Sequence, residues 1–295
     1  MTLVRLLTTC ARLAPALAHC GASSSSPSSS FSSLAADALP ASEDEVERKF
    51  PLTAEVRARL ARLALAPPVH SAFTDRYFDS RAFALTRRDL WLRRRDAVWE
   101  LKSPQPPAGG GGGDGDGVAG LAGVDFYRES RDWPSIASVA ARLAGVHLAP
   151  PFPIAPAASA DMSAMAAEAW LAARGIEVFA DVTTSRERRS LVLACGHHVR
   201  LDLDSVAFFA VSGPRHELSR YEIGEVELVA AGGGGAPPPA PATALADVFE
   251  QLGIGAEAVR GKLLELLARH RPEHYDALRE SGLLASKLGS HAAQR

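Results

Sequence analysis

The sequence predicts an α+β protein in which helices pack on a mostly antiparallel sheet. Two observations carry this. Short segments with period-two alternation recur from Glu45 to Val229. The stretches with helical spacing fall irregularly among them, which disfavours the one-strand, one-helix rhythm of a parallel sheet. Length sets the scale: 295 residues allow one large domain or two small ones, at roughly 100–200 residues per domain.

The elements follow in chain order. Arg5 and Arg12 are present before Asp37 but no acidic residue is, and Ser23 to Ser33 is almost all serine. That composition fits an organelle transit peptide; a low-complexity tail is the alternative. Arg12 and Pro15 break any apolar core that a secretory signal needs. Residues 1–42 are thus expected to be a disordered extension, addressed to a plastid or mitochondrion, or cytoplasmic if only a tail. Strands are expected at Glu45–Phe50, Phe73–Asp79, Leu90–Arg95, Val98–Lys102, Asp125–Ser130, Val178–Thr184, Leu191–Ala194, Val199–Asp204 and Glu222–Val229. Helices are expected at Leu52–Leu65, Trp133–Leu148, Ala160–Arg174, Ala244–Leu252 and Gly255–His270, with Pro272 following the last. Pro104–Gly117 and Ala231–Pro241 are proline- and glycine-rich and read as mobile linkers. Asp114 and Asp116 hint at calcium, but the later glutamate of a calcium loop is missing. His197 and His198 read as turn surface, and Cys195 as a strand core residue.

Composition excludes several classes. Lys and Arg total 32 against 34 Asp and Glu, a net charge of −2, so the basic excess of a nucleic-acid binder is missing. No apolar run reaches the roughly 18 residues of a membrane-spanning helix. Of Cys10, Cys20 and Cys195, only the last lies beyond the N-terminal segment. No internal disulfide framework follows, and a reducing compartment fits. A monomer is expected.

The strands distribute charge unusually. Glu45, Glu47 and Lys49 share one face, opposite Val46, Arg48 and Phe50. Trp91, Arg93 and Arg95 share another. Glu100 and Lys102 oppose Trp99 and Leu101; Arg200, Asp202 and Asp204 oppose Val199, Leu201 and Leu203; Glu225 and Glu227 oppose Val226 and Leu228. One charged face is ordinary on a solvated strand. A whole series suggests a curled sheet with helices covering the apolar side and charges lining a tunnel. Buried ions cost several kcal/mol each unless paired, so the tunnel needs internal ion pairs or a charged ligand. Lys49, Arg93, Arg95 and Lys102 suit a polyanion. The carboxylates suit a hard cation. Both together suggest a metal-bound polyphosphate.

The run EVERKF carries the ExExK signature, and FTDRYFDS, LWLRRRD, WELKSP, FYRES, RLDLDS and GEVEL follow it. In this order they resemble the CYTH superfamily, the triphosphate tunnel metalloenzymes. WLRRR followed by WELK, with RGKLLELLARHRPEHY near the end, is similar to its thiamine triphosphatases. The resemblance covers about Glu43 to Leu284. It implies an eight-stranded antiparallel β tunnel over residues 43–284, with 285–295 as a disordered tail. It also implies a small-molecule triphosphate substrate, with Mg²⁺ or Mn²⁺ as cofactor. Position by position, it makes Glu45, Glu47, Asp202, Glu225 and Glu227 metal ligands. It makes Lys49, Arg93, Arg95, Lys102, Arg186 and Lys262 phosphate contacts. It gives Lys102 a part in activating water and places Trp91 against the thiamine ring; Tyr127 and Glu129 fall where the family has its tyrosine and glutamate. Like charge from Arg93 and Arg95 predicts a lowered Lys102 pKa. Three activities stay open: thiamine triphosphatase, inorganic triphosphatase, and a polyphosphate-binding module without turnover. A cyclase is a weaker fourth. The carboxylates argue against a pure anion binder.

Overall fold

A computed structural model of the protein describes residues 42–62, 67–105, 124–143, 164–192, 198–229, 241–255 and 259–288. The strands are β1 (Ser42–Pro51), β2 (Val69–Ser80), β3 (Trp91–Arg95), β4 (Val98–Pro104), β5 (Val124–Ser130), β6 (Ile176–Val192), β7 (His198–Phe209) and β8 (Glu217–Val229). They close into a barrel in the order β1, β5, β4, β3, β2, β6, β7, β8, with every neighbouring pair antiparallel. The helices are α1 (Ala54–Arg62), α2 (Trp133–Leu143), α3 (Ala164–Ala172), α4 (Pro241–Leu252), α5 (Lys262–His270), α6 (Pro272–Glu280) and α7 (Leu283–Leu288).

Closure turns the period-two alternation into an inside and an outside. Phe50, Leu201, Val226 and Leu228 point outward and pack beneath Val56 and Leu60 of α1 and Leu245, Val248 and Phe249 of α4. Gly224 makes this fit possible, because a Cβ there would lie 2.0 Å from the Phe50 ring. On the opposite flank Phe78, Leu92, Trp99 and Leu101 pack under α2 and α3. Trp99, Trp133 and Trp170 form a chain of rings at 5.1 and 6.0 Å. Each burial removes an apolar side chain from water, stabilising the fold by about 1.5–3 kcal/mol per large residue. Helix starts are set locally: Thr53 Oγ1 accepts from Val56 N ahead of α1, and Asp132 from Ser135 N ahead of α2, the N-cap arrangement.

The inner face is mixed. Tyr77, Trp91, Tyr127, Val182, Val206, Phe208 and Ile223 form one apolar cluster with residues of α5, α6 and α7, including Leu267, Leu278 and Leu284. The C-terminal helices therefore pack on the apolar part of the lining, and the charged part is left to line the tunnel.

Three expectations are corrected. The segments Val178–Thr184 and Leu191–Ala194 are not separate strands, since β6 runs through Ile176–Val192. Pro272 does not mark the end of helical structure but opens α6 at its first turn, where a missing N–H costs nothing. The expected boundary between residues 284 and 285 falls inside α7. Most of both linkers, Cys195, His197 and residues 1–41 and 289–295 lie outside the described residues; His198 is exposed at the start of β7.

A buried polar chain docks α6. Asp79 accepts from the backbone N–H of Ser80, Leu85 and Thr86, and from Thr86 Oγ1 at 2.7 Å. Thr86 Oγ1 lies 2.8 Å from His274 Nε2. The hydroxyl proton goes to Asp79, so Nε2–H is the donor in this second bond. Nδ1 is buried without a hydrogen-bond partner among the described residues, and the ring stacks on Phe83 at 3.9 Å. Burial, with Arg271 nearby, lowers His274 to about 3. The unfolded value is about 6.5, so unfolded chains bind the extra proton between these limits. Stability is then full above about pH 6.5 and is lost as pH falls toward 3. His274→Gln is expected to be about 1–3 kcal/mol less stable at pH 8. That gap should narrow from pH 6.5 to 4 in urea midpoints; a gap independent of pH in that window overturns the neutral-imidazole assignment.

Candidate active site in the barrel interior

Register places like charges on adjacent strands. Glu47 of β1 faces Asp125 of β5 on one side and Glu227 of β8 on the other. The next inner row runs Lys49, Glu225, Asp202 and Arg188. Carboxylates directly opposite one another repel, so cations must lie among them.

Lys102 of β4 supplies the first. Its Nζ lies 2.5 Å from Glu45, 3.2 Å from Glu47 and 3.9 Å from Glu129, and 4.8 Å from the Tyr127 ring centre. Burial alone would lower its pKa, but Glu45, Glu47 and Glu129 hold it above the ordinary lysine value. The expected lowering is thus overturned. Arg93 and Arg95 are turned to other partners: Arg93 donates to Glu100 at 2.7 Å and Glu129 at 2.8 Å, and Arg95 grips Asp75 through two bonds at 2.8 and 3.0 Å. Lys102 is an ammonium here, not a free base.

Lys49 donates to Glu47 at 2.6 Å and Asp125 at 2.9 Å. Gly261, just before α5, leaves room for its stem; a Cβ there would sit 2.9 Å from Lys49 Cε. Burial opposes ionisation of Glu47, yet Lys102 and Lys49 hold its carboxyl well below the usual range. Glu45 goes the other way. Burial, and then the charge of Glu47, push it up to about 8 despite Lys102.

A second group forms across β6, β7 and β8. Arg186 holds Asp204 through two bonds at 2.8 and 2.7 Å, reaches Glu225 at 3.0 Å and Asp202 at 2.5 Å. Its register is fixed opposite Asp204. Lys262 of α5 reaches the same Asp204 at 2.7 Å and Glu225 at 3.7 Å. Glu227 pairs with Arg200. Arg94 points outward to Glu168 of α3 at 3.0 Å, as the alternation requires.

The charged residues named from the sequence as site candidates therefore face the interior. Glu45, Glu47, Lys49, Lys102, Arg93 and Arg95 gather at β1 to β5; Asp202, Glu225, Glu227, Arg186 and Lys262 gather at β6 to β8. Trp91 is also inside but only 8% exposed, packed with the C-terminal helices, and its Nε1 donates to Asp89 at 2.8 Å and to Tyr127 Oη at 3.2 Å. Sequence reasoning passed over Asp75, Asp125 and Lys287. Asp75 and Asp125 carried the same period-two signal; Lys287 carried none.

The oxygen donors suit a hard divalent cation, and the register of Asp125, Glu47 and Glu227 leaves a need for positive charge. Among the described residues no three carboxylates converge as a ready ion cage, because Lys49, Lys102 and Arg186 lie between them. The carboxylates of the lining are thus paired with its own cations.

Human thiamine-triphosphatase is 29% identical over 245 residues, covering 80% of this chain and 89% of its own length. Thiamine-triphosphatase of Macaca fascicularis is 28% identical over 243 residues, with the same two shares, 80% and 89%. The PH1819 protein of Pyrococcus horikoshii OT3 is 16% identical, covers 77% of this chain and 99% of its own, and superposes with a TM-score of 0.41. Residues 43–259 match the CYTH domain model, and with that match spanning most of the barrel and its motifs, the chain belongs to the CYTH family.

Proposed function

We propose that this protein hydrolyses thiamine triphosphate to thiamine diphosphate and phosphate. The carrying observation is Lys102, a buried ammonium among Glu45, Glu47 and Glu129 inside a closed barrel. A site that buries cations and carboxylates in mutual contact has exchangeable partners for both halves of a metal–triphosphate. The names of the two mammalian relatives support the organic group.

Lys49, Arg93, Arg95, Arg186 and Lys262 hold the phosphate oxygens through charge-assisted bonds. Glu45, Glu47, Asp202, Glu225 and Glu227 are the groups that would hold Mg²⁺ or Mn²⁺. When bound, the ion neutralises phosphate charge and polarises the phosphoryl oxygens. Water attacks the terminal phosphorus in line, the bond to the bridging oxygen breaks, and the diphosphate leaves with that oxygen. Lys102, charged, steadies the equatorial oxygens during transfer. Proton acceptance from water falls to a carboxylate rather than to Lys102.

An inorganic triphosphatase is the second reading, favoured by one observation: the Trp91 ring is buried and its N–H already satisfied. Phosphate release from thiamine triphosphate, tripolyphosphate and ATP separates the two. Trp91→Ala is expected to lower kcat/KM for thiamine triphosphate relative to tripolyphosphate by about threefold to thirtyfold, the scale of one cation–aromatic contact. Loss of a core indole also lowers the folded fraction, but that affects both substrates alike, so the ratio is the readout. An unchanged ratio assigns the tunnel to tripolyphosphate.

A further inference from the structure

Lys287 is the one C-terminal lysine that the reading above leaves without a role. It comes from α7, anchored by the buried Leu283, Leu284 and Leu288. Its Nζ lies 2.8 Å from Asp125 Oδ1, 2.9 Å from Asp89 Oδ2 and 4.4 Å from the centre of the Tyr127 ring. Asp89 is built to face it. The residue sits in the left-handed region at φ 62°, which aspartate tolerates better than most side chains. Its other oxygen accepts from Tyr127 Oη at 2.6 Å and Trp91 Nε1 at 2.8 Å.

We infer that Lys287 is a specificity-determining residue, its ammonium filling a place for an organic cation formed by Asp89, Asp125 and the face of Tyr127. The inference rests on the reading of the tunnel as a triphosphate site. Two carboxylates and an aromatic face are recognition chemistry for a cation. The place adjoins the triphosphate end, because Asp125 also accepts from Lys49 at 2.9 Å. A triphosphate bearing a cationic ring must displace Lys287 to use it. Tripolyphosphate has no such group and leaves Lys287 where it is. Lys287 thereby taxes cationic substrates, since apparent affinity falls with the fraction of protein in which the place is open.

The test is calorimetric binding of thiamine triphosphate and of tripolyphosphate to the full chain, wild type and Lys287→Gln, in the presence of the metal and a turnover-blocking Lys102→Met background. Lys287→Gln is expected to tighten thiamine triphosphate relative to tripolyphosphate by roughly threefold to tenfold. A ratio that stays constant or falls overturns the inference and leaves Lys287 as a latch for α7, which would show only as a lower Tm. Lys287→Arg serves if the glutamine variant does not fold. A guanidinium held by both aspartates keeps or lowers the ratio, and a rise overturns the inference. Binding of both ligands without any turnover in the wild type would sink the hydrolase reading while this comparison still decides the role of Lys287. Failure to bind either ligand overturns both.

Discussion

Lys102→Met is expected to lower kcat for triphosphate hydrolysis by about two to three orders of magnitude, the loss seen when one preorganised charge-stabilising donor is removed. The barrel should stay folded. Of the carboxylates around Lys102, Glu47 keeps Lys49 at 2.6 Å, and Glu129 keeps Arg93 at 2.8 Å and Arg131 at 3.4 Å. Glu45 alone loses its partner, and burial beside Glu47 already raises its carboxyl to about 8. It therefore takes up a proton near neutral pH instead of remaining as an unpaired buried charge. Lys102→Arg should not restore the rate. A planar guanidinium carries its charge in a fork rather than a point, and the space is set by Glu45 at 2.5 Å. The measurements are single-turnover phosphate release and a thermal melt on the same preparations. A variant with near-wild-type kcat overturns the placement of Lys102 at the reacting phosphate; a variant with no melting transition shows a structural role instead.

How far the sequence exposes this site depends on parity. In an antiparallel barrel, a residue's inward or outward direction follows from its distance along the strand. Glu45, Glu47 and Lys49 could therefore be sorted from Val46, Arg48 and Phe50 without coordinates. The signal blurs where both faces are charged. In β6 Arg186 and Arg188 face inward while Glu187 and Arg189 pair with each other at 2.7 Å, so apolar alternation vanishes and one long strand reads as two. Ionisation is less legible still. Arg93 and Arg95 lie on the same face as Lys102, but their charge is taken up by Glu100, Glu129 and Asp75. What sets the lysine is Glu129, in register on β5, with Glu45 and Glu47 one strand further on, and spacing along a single strand does not name them. Lys287 marks the outer limit: it sits on the short last helix, after Gly282, and reaches the barrel only through tertiary packing.

Removal of divalent metal is expected to abolish hydrolysis, and Glu47→Gln to lower it by roughly tenfold to a hundredfold with only partial rescue by excess metal, the range for disturbing a metal's ligand environment. The argument is electrostatic. Glu47 sits in register between Asp125 and Glu227, and Glu227 is itself pushed up by burial and by Glu47 and Asp202 against the pull of Arg200. In the unliganded lining, Lys49 and Lys102 relieve the repulsion at Glu47. A triphosphate draws those lysines to itself, and the carboxylates then need replacement cation charge in the same interior. Replacing Glu47 by glutamine removes one of the charges that create this need, so it should weaken metal binding more than it harms the fold. Two readouts follow. Thermal melting with increasing Mg²⁺ should rise for the wild type, as mass action on the folded state requires, and rise less for Glu47→Gln. Phosphate release should stop in chelator and return on adding Mg²⁺ or Mn²⁺. Full turnover in excess chelator would remove the metal from the mechanism and leave the carboxylates as fixed counter-charges for the lysines and arginines of the barrel.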